Sequence, residues 1–202
     1  MHIAEGILAA PALAAGAATA AAGTAVGLKR MDYDQTPIVA VLSSTFFVAS
    51  LIHVPLGPSN VHLILNGLVG IILGWASFPA LLVALLLQAI LFQFGGITTL
   101  GVNTTTMALP AVITFLLFSP MVRGKNQTIA LFFSFLSGAL GVLLAAILVG
   151  IFLISTGEVF ETAARLIIIA HLPIMVIEGI LATFIIGFLR KVKPEILGGM
   201  IQ

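Results

Sequence analysis

The sequence predicts an all-α integral membrane protein of about seven transmembrane helices, N-terminus outside and C-terminus cytoplasmic. Three observations carry that prediction. Apolar residues make up 60% of the 202-residue chain and charged residues 7%, whereas a soluble domain carries roughly 25% charged residues. The apolar residues fall in long runs, not in the alternation of a barrel strand. The Lys and Arg residues fall almost entirely on one side once those runs are counted. A net charge of +1 offers no surface for nucleic acid, and the lack of cysteine excludes disulfides, thiolate metal sites and iron–sulfur ligation.

A span needs about 20 apolar residues, and the chain reads as a single domain, 1–202, of seven. The first, 7–28, follows MHIAEG, which carries Glu5 and no Lys or Arg, unlike an ordinary signal peptide. Ala14, Ala18 and Ala22 recur along it, a spacing that lets helices approach closely. We expect that face to pack within the bundle; the alternative is a docking face for a membrane partner. The second, 37–54, opens on Pro37, which suits a first helical turn. PLGPSN follows, and Ser59 or Asn60 can cap the third span, 61–75. The third and the fourth, 79–92, are short, as expected of segments buried in the bundle. QFGGITTLGVNTTT, 93–106, is too polar for a span and too apolar for a free loop, so it reads as a re-entrant or lining segment. Spans at 105–122, 129–154 and 165–189 complete the count.

With the N-terminus outside, Lys29, Arg30, Arg123, Lys125, Arg190, Lys191 and Lys193 fall inside and only Arg165 outside. The same map puts all four histidines, His2, His53, His62 and His171, in the outer half. A Met-His start can chelate. The Met1 amine, the His2 backbone nitrogen and the His2 imidazole close two fused rings on one metal, provided the amide loses its proton. A second imidazole completes four nitrogens in a plane, which points to copper or nickel, with cobalt and zinc also suited to imidazole. His62, behind a capped turn, is favoured over His53 at a helix end. His171 lies beside Pro173 and reads as structural, bonding a carbonyl that the proline frees. Glu178, seven residues on, needs a partner: His171, a hydroxyl or another protein.

The chain resembles the CbiM/NikM family, the substrate-binding membrane components of energy-coupling-factor transporters for cobalt and nickel. MHIAEG, GPSNVHLILNG (57–67), LLLQAILFQFGGITTLGVNTTTMALP (85–110) and EGILATFIIGFLRKVKPEIL (178–197) carry the resemblance. It departs at Val61, Leu63 and Ile64, where that family often has small residues. The resemblance implies a metal held by Met1, His2 and His62, with Gln88, Gln93 and Asn103 as polar residues near the site. It implies Co2+ import for cobalamin synthesis across the inner or plasma membrane, with Ni2+ as the alternative and no resident cofactor. It also implies partners: a transmembrane coupling protein, cytoplasmic ATPases and a small accessory membrane subunit. The chain has no phosphate-binding loop and no H-E-x-x-H helix, so neither ATP hydrolysis nor metalloprotease activity is expected of it. A proton-coupled secondary carrier using His171 and Glu178 is the competing class.

Overall fold

The computed structural model describes residues 2–51, 53–56 and 59–198; for 53–56 and 59–61 it describes the backbone alone. Among the described residues, seven α-helices, joined by short 3-10 turns, and one short hairpin make up the fold. Helix α1, Ala10–Arg30, has Pro11 in its first turn and closes on Lys29 and Arg30, cations that suit the negative end of the helix dipole. It buries Ala12, Gly16, Ala20, Gly23 and Gly27, and Thr105 Oγ1 donates to the Gly16 carbonyl at 2.8 Å. Ala14, Ala18 and Ala22 face outward. This corrects the expected packing stripe: the small face that packs is the neighbouring one.

Helix α2, Thr36–Ala49, starts with Pro37 in its first turn and lies along the later helix α4, Ser77–Phe92, where Ser43 Oγ donates to the Ala80 carbonyl at 2.8 Å. Between them come β1, His53–Leu56, and β2, Ser59–His62, paired antiparallel with His53 opposite His62 and Leu56 opposite Ser59. The expected helical cap is therefore a strand: Ser59 and Asn60 lie in β2. Helix α3, Asn66–Leu73, begins four residues after His62 on Leu65, a left-handed residue (φ +53°) whose side chain makes no cap bond.

At Gly74 the chain reverses (φ +55°, ψ −123°), a conformation open to glycine. Ser77 Oγ then reaches the Val69 carbonyl at 3.5 Å. The Trp75 carbonyl abuts Gly27 at the foot of α1, whereas Gln88 reaches His2 at its head, so α4 runs antiparallel to α1. Helix α5, Leu100–Arg123, descends through the centre of the bundle. Helix α6, Gln127–Thr156, is capped by Asn126 Oδ1, which accepts from Ile129 N–H at 3.1 Å. Helix α7, Glu161–Val192, runs unbroken through Pro173. The side chains of Phe46, Phe78, Leu81, Met107 and Ile167 fill the core between these helices.

Among the described residues, five helical stretches are long and apolar enough to cross a membrane: Ala10–Arg30, Asn66–Phe92, Leu100–Arg123, Gln127–Thr156 and Glu158–Val192. The chain is an all-helical, multi-pass membrane protein apart from the short hairpin. The count differs from the expected seven for two physical reasons. With 14 residues, α2 spans only about 21 Å, and Asn66–Phe92 is the pair α3 and α4 folded back at Gly74. A second difference concerns 93–106. Only 93–99 is irregular; Gly101 to Thr106 are the opening turns of α5, so the expected re-entrant segment is a short loop before a regular helix.

Two ends emerge. One gathers the N-terminal segment, the hairpin, the 93–99 loop and the α6–α7 turn, with Ala9 N–H donating to Thr156 Oγ1 at 3.3 Å. The other gathers Arg30 over the Trp75 ring at 5.0 Å, and Arg190, which donates to the carbonyls of Val122 and Gly124.

Candidate metal centre

The N-terminal segment, irregular with a turn at residues 5 and 6, is pinned from outside itself. Asn103, in the first turn of α5, grips one residue on both sides: Oδ1 accepts from Ile3 N–H at 2.8 Å and Nδ2 donates to the Ile3 carbonyl at 3.1 Å. Glu5 N–H donates to the Gly95 carbonyl at 3.1 Å. The Glu5 carboxylate accepts from Thr98 N–H at 2.9 Å and Thr98 Oγ1 at 3.2 Å, bonds that hold its pKa below the ordinary 4.5. Gly96 makes that seat possible. Its φ is +139°, and a Cβ there would lie 1.9 Å from Glu5 Cγ.

Thus seated, His2 is buried, and its ring stacks on that of His62, also buried, with centroids 4.8 Å apart and planes 29° apart. The hydrogen bonds assign the tautomers. Gln88 Nε2 donates to the Phe47 carbonyl at 3.4 Å and to Ser50 Oγ, so its Oε1 faces His2. That oxygen can only accept, so His2 Nε2 carries the proton in their 2.7 Å bond and Nδ1 carries the lone pair. At His62 the order is reversed. Nδ1 donates to the Leu63 carbonyl at 2.6 Å and Nε2 carries the lone pair. Burial, reinforced by the neighbouring His2, holds the His62 pKa well below 6.5. Near neutral pH it is an imidazole, the form that binds metals.

The remaining expected residues sort plainly. Met1 lies outside the described residues, as do the side chains of His53, Ser59 and Asn60; the backbone pairs His53 with His62 and Asn60 with Pro55. Gln88 and Asn103 belong to the cluster. Gln93 does not: it ends α4 in a left-handed conformation (φ +57°) and is exposed. His171 is buried and donates from Nδ1 to the Ile167 carbonyl at 2.6 Å, one turn back. That carbonyl is not the one Pro173 frees, which belongs to Ile169. Glu178 has a partner that was not expected. It accepts from the backbone N–H groups of Ile64 and Leu65. The roles of Ile3, Glu5 and Thr98 also went unforeseen, because their partners lie some ninety to a hundred residues away and leave no mark in local spacing.

Among the described residues no three His, Cys, Asp or Glu side chains gather closely enough to hold a metal. A metal at this place would therefore draw on main-chain donors as well as the two imidazoles.

The family described as "CbiM: Cobalt uptake substrate-specific transmembrane region" matches residues 2–196. A Haemophilus influenzae protein named for metal transport is 42% identical, over 98% of this chain and 97% of its own length. The cobalt transport protein CbiM of Clostridium tetani is 31% identical over 99% of this chain and 90% of its own. The fused nickel transport protein NikMN of Rhodobacter capsulatus is 36% identical over 54% of this chain and 33% of its own. A crystal structure of a transition metal transporter superposes with a TM-score of 0.72 at 24% identity, covering 95% of this chain and 93% of that one. At that identity the likeness speaks for the fold alone.

Proposed function

The chain belongs to the CbiM family of cobalt-uptake transmembrane regions, and from that premise we propose that it captures Co2+ as the membrane subunit of an energy-coupling-factor importer. The observation that carries this reading is the pairing of His2 and His62 with complementary tautomers. Only Nδ1 of His2 can close a six-membered ring with its own backbone nitrogen, and Nδ1 is the atom that Gln88 leaves with the lone pair. The Met1 amine then closes the second ring, and Nε2 of His62 takes the fourth place.

The ring distance supports the same arrangement. With metal–nitrogen bonds of about 2.0 Å, two imidazoles on adjacent corners of a square place their centroids roughly 4.5 Å apart. The observed 4.8 Å is close to that. The same four nitrogens accept Ni2+, which precedes Cu2+ and follows Co2+ in the affinity order. Ni2+ is thus the alternative cargo on the same mechanism.

We read seven passes of the chain through the inner or plasma membrane, with the metal centre on the outer side. Lys29, Arg30, Arg123, Lys125, Arg190, Lys191 and Lys193 lie at or near the opposite ends of their helices, which supports this orientation. Release inward then needs a coupling protein and ATPases, since this chain has no phosphate loop; a small accessory membrane subunit completes the assembly. The outward face of Ala14, Ala18 and Ala22 suits close approach by a partner helix.

One added residue before Met1 should abolish high-affinity binding while leaving the fold intact. The expected loss in Kd, read by titration calorimetry with Co2+ and Ni2+, exceeds the ~100-fold that outer hydrogen-bond partners alone are worth. His62→Ala should act likewise and His53→Ala mildly. Wild-type affinity in the extended protein would refute the chelate.

A further inference from the structure

One peptide unit connects the centre to the middle of α7. The Leu63 carbonyl accepts from Nδ1–H of His62 at 2.6 Å. The N–H of that same peptide, on Ile64, donates to Oε1 of Glu178. Leu65 N–H donates to both carboxyl oxygens at 2.8 Å. Glu178 is 2% exposed. Among the described residues the ion pairs are Arg165–Glu161 and Lys193–Glu195, so Glu178 is held by amides and not by a cation. The first helical residue of α3 follows directly, with no cap from its own sequence. A side chain of another helix thus supplies the acceptor that a helix start requires.

We propose that Glu178 is a positioning residue of the metal centre, acting on His62 through the Leu63–Ile64 peptide. The proposal rests on the reading of His62 as a ligand. An acceptor on the peptide N–H draws electron density onto the carbonyl of the same unit. The carbonyl then becomes a stronger acceptor for Nδ1–H, and Nε2 a stronger donor to a metal. Hydrogen bonds in series polarise one another in this way. The arrangement has the logic of a carboxylate bonded to a metal-binding histidine, with a peptide interposed. Holding the amides of residues 64 and 65 also fixes the left-handed Leu65 turn, and with it the plane of the His62 ring.

The test uses the full chain, titrated with Ni2+ and followed by affinity and by the d–d absorption band. Glu178→Gln keeps the size and one acceptor oxygen but turns an NH2 toward Leu65 N–H. Glu178→Asp withdraws the carboxyl by one methylene and serves if the Gln variant does not fold. Both should bind Ni2+ about 10- to 100-fold more weakly, as expected for an outer partner, with the band moved to longer wavelength. Ser137→Ala removes a different tie to α3, the 3.0 Å bond from Ser137 Oγ to the Gly67 carbonyl; it should leave the band in place. Wild-type affinity and band in the Glu178 variants, with binding weakened in His62→Ala, would overturn the proposal alone. An equal band shift in Ser137→Ala would overturn it too, as a packing effect. Unweakened binding in His62→Ala would instead remove the ligand reading beneath it.

Discussion

At the scale of residues, the two imidazoles divide their nitrogens in opposite senses, and this sets what acid does. A histidine whose folded-state pKa is lowered stays neutral where an ordinary one would charge. Its protonation costs folding stability only as pH falls below about 6.5, toward the folded value. Near pH 7, then, His62 has no proton to lose. On the proposed chelate, the protons that a metal displaces come from the start of the chain: an α-amine, a group that ordinarily titrates near 8, and the His2 amide. We expect release of about two protons per ion at pH 7, read by calorimetry in buffers of different ionisation enthalpy. Release of less than one would contradict binding by the amine and amide. Charge bias and span order put all four histidines at one end, and the Met-His start singled out His2; the capped turn that favoured His62 is a strand here. Of the orienting partners, Gln88 was reached only through the family resemblance, and the bond of Glu178 to Ile64 was not foreseen. Gln88 stands 86 residues from His2, and Glu178 stands 114 from Ile64, separations that no periodicity records.

At the scale of elements, the irregular segment between α4 and α5 serves as the seat of the N-terminus. Its composition announced irregular backbone, but not that Asn103 and its neighbours are helical, since a run of Thr and Asn reads as a poor helix until burial in the bundle overrides it. The hairpin was hidden for a related reason. Two four-residue strands carrying Pro55 look like a turn, because proline is confined to strand edges. The shortness of the third and fourth spans and a turn between them were visible; that the turn begins at Gly74 was not. Gly96→Ala puts a methyl group on the Glu5 carboxyl stem and costs ~1–3 kcal/mol of backbone strain at a position of positive φ. We expect metal affinity to fall at least tenfold, a change equivalent to 1.4 kcal/mol, with little change in the thermal unfolding of the bundle. Gly6→Ala, with φ +77° but nothing within 4 Å, separates strain from collision and should be the milder variant. Equal binding by the Gly96 variant and the wild type would show that the seat does not serve the site.

At the scale of the whole molecule, a capture subunit and a self-sufficient carrier make different demands. Glu178, the residue that invites a proton-carrier reading, is engaged with the amides ahead of α3. In proteoliposomes we expect the chain alone to bind Co2+ at the outer face but to accumulate little, and uptake to require the coupling protein, the ATPases and ATP. Full uptake by the chain alone, indifferent to ATP, would favour the carrier. The clamp on Ile3 is a residue made 100 positions later, and the partner of the His2 ring is made 86 positions later. The Ile3 segment is therefore secured only once the hundred residues after it have been made. A chain arrested before α5 has Gln88 to meet the His2 ring but no clamp on Ile3. Synthesis order and assembly order run in opposite directions here, so on the proposed reading the chain can take hold of a metal only after α5 has joined the bundle.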